Sequence, residues 1–112
     1  IEILEKVYFA TRDASVLPKS FPLLDQVAAV LKAHPDIKKV QIEGHTDNVG
    51  DPQKNLALSQ KRADAVFKYL SQKVDPSRLE PIGYGPARPA DTNDTPVGRE
   101  KNRRVEFKIV GD

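Results

Sequence analysis

The chain has 112 residues, a formal net charge of +2, 38% hydrophobic and 30% charged residues, and no cysteine. That length fits one domain, and the missing cysteines exclude a disulfide framework or a thiolate metal site. The charge is too mild for a nucleic-acid footprint, which needs a clustered basic face; the one dense cluster, 99–108, is diluted by Glu100 and Glu106. No apolar run reaches the ~20 residues of a spanning helix, and none of residues 1–112 reads as a signal peptide, which says nothing about the parent protein. The sequence opens directly on a strand-like run, so residues 1–112 are expected to be a single domain excised from a longer protein.

In "IEILEKVYF", Ile1, Ile3, Val7 and Phe9 share one side at period two, which predicts a strand. A turn-rich loop follows, and Ser20 then stands where it can cap a helix, with Pro22 in the first turn. Leu24, Val27, Ala28 and Leu31 recur at helical spacing, and Pro35 ends the run. "KKVQIEG" alternates, with Val40 and Ile42 inward and Gln41 and Glu43 outward. Asp51 and Pro52 read as cap and first-turn pair of a second helix, with an apolar stripe of Leu56, Ala63, Val66, Phe67 and Leu70. "VDPSRLEPIGYG" holds a turn and a short strand broken by Pro81 and Gly83, and residues 86–102 read as a long loop. "RRVEFKIV" closes the chain with Val105, Phe107 and Ile109 on one face. Two helices for about four strands predict a mixed sheet with both helices stacked on one side.

The polar run "HTDNVG" after the second strand carries the chemistry worth weighing. His45 and Asp47 could ligate a metal, but a site wants three or four ligands, and the only other histidine, His34, lies elsewhere. No nucleophile elbow surrounds Ser59 or Thr46, and Asp51 is better explained as a cap than as half of a carboxylate pair. The chain is therefore read as a non-enzyme without metal or cofactor. Asp47 would repel an anion at a helix start and suits a cation instead. Arg62, on the face of the second helix that carries Leu58 and Ser59, could offer a bidentate fork to a carboxylate. Asp47 and Arg62 could thus bracket a small zwitterion, or simply pair with each other. Spacing alone favours the simple pair.

Taken in order, "IEGHTDNVG", "NLALSQKRADAV", "GYG" and "GREKNRRVEF" resemble the successive blocks of the OmpA-like C-terminal domain, the peptidoglycan-binding module of the OmpA, Pal and MotB proteins. The resemblance spans nearly the whole chain. It implies an α/β sandwich of order β-α-β-α-β-β, with two main helices on a mixed four-stranded sheet. It also implies non-catalytic binding of peptidoglycan through the diaminopimelate of its stem peptide, held by Asp47 and Arg62. Asn55, Leu58, Val49, Thr11 and Arg12 are implied as further ligand contacts, and Asn102, Arg103 and Arg104 as mainly structural. The chain departs from the family pattern at Arg12, where Asp or Asn is common, and at Lys54, where an aromatic is frequent. The implied setting is the periplasm of a Gram-negative-type bacterium, as part of an outer-membrane or envelope protein. The alternative reading is an envelope protein–protein interaction module using the long 86–98 loop.

Overall fold

A computed structural model describes residues 2–111. Its elements run β1 (Val7–Tyr8), α1 (Phe21–Ala33), β2 (Lys39–Gly44), α2 (Pro52–Leu70), β3 (Leu79–Gly83), α3 (Pro96–Asn102) and β4 (Arg104–Gly111), with short 3-10 turns at Pro18–Ser20 and Pro76–Arg78. The four strands form one mixed sheet in the order β1-β4-β2-β3. β4 is antiparallel to both β1 and β2, while β2 and β3 are parallel. The α/β class, the mixed sheet and the two main helices are as expected.

One side of the sheet and the inner stripes of the helices make the core. Leu24, Val27, Ala28 and Leu31 of α1 are buried, as their spacing predicts, and so are Val40, Ile42, Val105 and Phe107 of the central strands. On α2 the stripe is partly different. Ala63, Val66 and Leu70 are buried, but Leu56 is exposed and its place is taken by Asn55, Ser59 and Arg62. The buried face of α2 is therefore polar in its first turns and apolar in its last.

Several local expectations need correction. Ile3, Val7 and Phe9 do face inward, yet only Val7 and Tyr8 pair in the sheet, and Ile1 lies outside the described residues. Ser20 occupies the cap position of α1 without a side-chain capping bond, because a 3-10 turn already leads into the helix. Pro81 and Gly83 do not break β3, which pairs with β2 from Leu79 to Gly83. An edge strand tolerates proline, since one side of it owes no ladder bonds. Gln60 of α2 covers part of that free side, accepting from Gly83 N at 2.9 Å and donating to Pro81 O at 3.1 Å. The long loop contains a helix, α3, capped by Thr95 Oγ1 accepting from Gly98 N at 3.0 Å.

What fixes α2 against the sheet is a pair of glycines in register, Gly44 on β2 and Gly83 on β3. A Cβ on Gly44 would sit 2.0 Å from the Ser59 carbonyl oxygen, and one on Gly83 would sit 2.4 Å from Gln60 N. The helix backbone thus rests on the sheet backbone at the end where β2 delivers the HTD turn. Gly44→Ala must push α2 outward, and we expect it to cost about 3 kcal/mol. The drop in urea midpoint measures this; a midpoint within experimental error of wild type would show that the contact can relax.

Candidate functional site

Beyond Gly44 the chain stays buried for three more residues, His45, Thr46 and Asp47. Backbone bonds hold it there: His45 N donates to Arg104 O at 2.9 Å and Thr46 N to Gly85 O at 3.1 Å. Asp47 then turns the chain, its Oδ1 accepting from Val49 N at 3.1 Å, the local bond that suits Asp to turns. Asn55 secures the far side, donating from Nδ2 to Val49 O at 3.0 Å. Asp51 caps α2 through Gln53 N at 3.0 Å, as predicted.

Arg62 reaches this turn from one helical turn past Ser59, and it is fully buried. Its Nε donates to Asp13 O at 2.9 Å, Nη1 to His45 O at 3.0 Å and Nη2 to Ala10 O at 2.9 Å. One guanidinium therefore ties α2 to the β1–α1 loop and to the end of β2. Burial pushes its pKa down to about 10, and the neighbouring Arg103 cation adds to that, against the opposing charge of Asp47. At neutral pH it remains a cation.

The simple Asp47–Arg62 pair is not what forms. Asp47 Oδ2 accepts instead from Arg103 Nη1 at 2.9 Å, and both side chains are largely buried. Arg103 was expected to be mainly structural, and it does also donate from Nε to Phe9 O at 3.3 Å. A signal for its second role was available: it shares period-two parity with Val105 and Phe107, which places it on the helix-covered side. Its flanking residues are structural in the expected sense. Asn102 is fully buried, with bonds to Ala90, Asp91 and Asn93, and Arg104 Nη2 donates to Arg88 O at 2.8 Å.

All seven predicted contacts, Asp47, Arg62, Asn55, Leu58, Val49, Thr11 and Arg12, line one small pocket of about 20 Å³, together with Thr46 and Arg103. Its charge is unbalanced, with Arg12, Arg62 and Arg103 against Asp47. A guanidinium has five N–H donors and a carboxylate about four acceptor sites. Arg62 uses three donors on carbonyls, leaving one on each terminal nitrogen, and Asp47 keeps acceptor capacity beyond its two bonds. The pocket is thus lined by a guanidinium with two unengaged N–H groups and by a carboxylate with spare acceptor capacity.

The OmpA family profile matches residues 8–103. This chain belongs to the OmpA family. It is 40% identical over 104 residues to the peptidoglycan-binding protein ArfA of Mycobacterium tuberculosis, covering 92% of this chain and 32% of that protein. It is 41% identical over 100 residues to the peptidoglycan-associated lipoprotein of Haemophilus influenzae, covering 88% and 65%. The chain thus spans less than two thirds of either relative. Among solved structures, the peptidoglycan-associated lipoprotein of Burkholderia pseudomallei superposes with a TM-score of 0.85 at 36% identity, covering 91% of this chain and 86% of that one. The C-terminal domain of Helicobacter pylori MotB gives 0.89 at 25% identity, covering 97% and 86%.

In this OmpA-family domain the other half of the HTD run faces away from the pocket. Glu43 and Glu106 are opposite each other in the β2–β4 register, on the side of the sheet without helices. Like charges so placed repel, and three cations answer them. Arg104 Nε donates to Glu106 Oε1 at 3.0 Å, Lys6 Nζ lies 3.3 Å from the same atom, and Arg88 Nη1 lies 4.0 Å from Glu43 Oε2. His45 completes the cluster, with Nε2 3.6 Å from Glu43 Oε1 and its ring stacked on Tyr84. The metal pairing considered for His45 and Asp47 has no geometric basis, since His45 groups with Glu43 and Glu106 instead. The two carboxylates of that trio are already outnumbered by three cations, which disfavours a divalent ion.

Burial holds His45 neutral, with its pKa lowered from 6.5 to about 4, and the Arg104, Arg88 and Lys6 charges contribute against the Glu106 carboxylate. The unfolded chain takes up this proton near pH 6.5 and the folded chain only near 4, so stability is full above 6.5 and falls as pH drops between the two. We expect wild type to lose about 3 kcal/mol over that window from this residue, and His45→Gln to lose correspondingly less. Urea midpoints at pH 7, 6, 5 and 4 test it; parallel profiles for the two proteins would reject the assignment.

Proposed function

We propose that this domain binds peptidoglycan non-covalently and without catalysis, holding the diaminopimelate of a stem peptide in the Asp47–Arg62–Arg103 pocket. The observation that carries this reading is the pairing of spare donors on a buried guanidinium with spare acceptor capacity on Asp47. The side chain of diaminopimelate ends in an α-amino-acid head, with ammonium and carboxylate on one carbon. Its carboxylate suits the Arg62 fork and its ammonium suits Asp47, while Thr46 and Asn55 stand close enough to orient it. Relatives named as peptidoglycan-binding and peptidoglycan-associated proteins support the polymer as the partner. In this reading the domain ties an outer-membrane or envelope protein to the wall, on the periplasmic side. No helix among the described residues is long and apolar enough to cross a membrane.

Asp47, not Arg62, is the residue for a clean test. Removing Arg62 would strand three backbone carbonyls and cost several kcal/mol of stability. Asp47→Asn keeps the shape and removes the charge. With purified diaminopimelate-type sacculi, we expect the wild-type domain to co-sediment and Asp47→Asn to bind at least tenfold more weakly, both melting cooperatively. Retained binding by a folded Asp47→Asn variant would sink the pocket assignment.

Ligand chemistry gives a second test. A lysine-type stem lacks the second carboxylate, so the Arg62 fork would face nothing. A lost charge-assisted bond of ~1.5–3 kcal/mol corresponds to roughly 10–100-fold in affinity. Titration with soluble diaminopimelate and lysine stem peptides should show that gap, and equal affinities would reject the zwitterion argument.

A further inference from the structure

The pocket opens onto a larger groove of about 680 Å³, and Arg12, Val49, Asn55 and Leu58 line both. Three cations border the groove, Arg12, Lys54 and Lys61, against a single carboxylate, Asp51, whose Oδ1 is engaged by Gln53 N. Among the described residues none of the three cations makes an ion pair, whereas Arg103, Arg104, Lys6 and Lys101 all do. Lys54 and Lys61 are seven residues apart on α2, two turns on one face, with Leu58 between them. They are therefore separated by about 10 Å along the helix, and an extended segment of three residues is about as long.

Arg12 adds an independent observation. It has φ 60°, the one positive φ on a non-glycine residue among those described. Glycine, asparagine and aspartate reach this left-handed region at least cost, and a long side chain there is disfavoured. The backbone accepts that cost with a cation placed on the rim shared by pocket and groove.

We infer that the groove is an anion-binding subsite that reads free carboxylates on the stem residues flanking the diamino acid. It distinguishes stems whose carboxyl groups are ionised from stems in which they are amidated. This rests on the pocket reading above, because the head group in the pocket is what lays the rest of the stem along α2. A γ-linked glutamate next to diaminopimelate carries a free α-carboxylate in one chemical form and a neutral carboxamide in the other. The carboxamide is of similar size, so the groove separates the two forms by charge.

The test is calorimetric titration of the full 112-residue chain with two L-Ala-γ-D-Glu-diaminopimelate tripeptides, one with the glutamate α-carboxyl free and one with it amidated. Wild type should bind the free acid about tenfold more tightly at low salt, as a few exposed ion pairs acting together would give, with the ratio shrinking as salt rises. Lys54→Gln with Lys61→Gln should lower the ratio while keeping wild-type affinity for the amidated peptide, and the triple variant that adds Arg12→Asn should bring the ratio to about one. Asparagine is chosen at position 12 because it keeps the left-handed backbone, so the variant should melt no lower than wild type. Equal binding of both peptides by wild type, or an undiminished preference in the triple variant, overturns the inference. Failure of the pocket reads differently. Asp47→Asn binding both peptides at wild-type strength with the preference intact would remove the anchor and leave the groove standing, and no binding of either peptide by wild type would remove both.

Discussion

Arg62 is the constraint on which this domain is organised. A buried guanidinium is among the costlier groups a small core can hold unless each donor finds a partner. Here three backbone carbonyls from two separate segments converge on it, those of Ala10 and Asp13 before α1 and that of His45 after β2. The loop at 10–13 has little secondary structure of its own, so the arginine does for it what a ladder does for a strand. Two of the arginine's five N–H groups are left without a carbonyl partner. In the proposed binding mode structural and binding roles would reside in different hydrogens of one side chain, which is why deleting it would confuse them.

Glycine puts Arg62 in reach. Because Gly44 and Gly83 let α2 touch the sheet backbone at Ser59 and Gln60, the residue one turn further on arrives level with the carbonyls at the end of β2. A helix held off by side chains, at the usual layer spacing, would leave that fork short. The polar buried face of α2, Asn55, Ser59 and Arg62, occupies the end nearest the pocket, and the apolar face, Ala63, Val66 and Leu70, fills the core beyond. Ser59 Oγ accepts from Gly85 N at 2.9 Å and donates to Leu56 O at 2.6 Å, so no buried hydroxyl is left idle between the two regions.

The periodic parts of the fold were legible in the sequence, and the convergent parts were not. The α1 stripe, the alternation of Val40, Ile42, Val105 and Phe107, and the Asp51–Pro52 helix start follow from local rules, and the structure repeats them. The family's blocks brought seven pocket residues to one place. Two features escaped because they depend on distant partners. Helical periodicity gave α2 Leu56 as a core residue, whereas the close glycine contact rotates Asn55 and Ser59 inward. Glu43 was placed outward, which is right for its face, but it is buried, with His45 and Arg88 beside it, and those come from loops that no pattern in β2 announces. α3 was hidden by the Pro, Asp and Asn content of its neighbourhood, although Thr95-Pro96 is itself a cap and first-turn pair.

The division of the HTD run between two sides of the sheet has a consequence for binding. His45 sends its ring to the helix-free side and its carbonyl to Arg62, while Asp47 sends its carboxylate into the pocket. The turn is therefore clamped from both sides before any ligand arrives, and Asp47 is already oriented by Val49 N and Arg103. Preorganisation of this kind lowers the ordering cost of association. In the proposed binding mode the gain is bounded, because a ligand ammonium would compete with Arg103 for the same carboxylate. Strong single-site affinity is not what such an arrangement favours. If the partner is peptidoglycan, as proposed above, the repeating polymer would supply many identical head groups at high local concentration, and rapid rebinding along it would hold the domain in place without tight binding at any one stem.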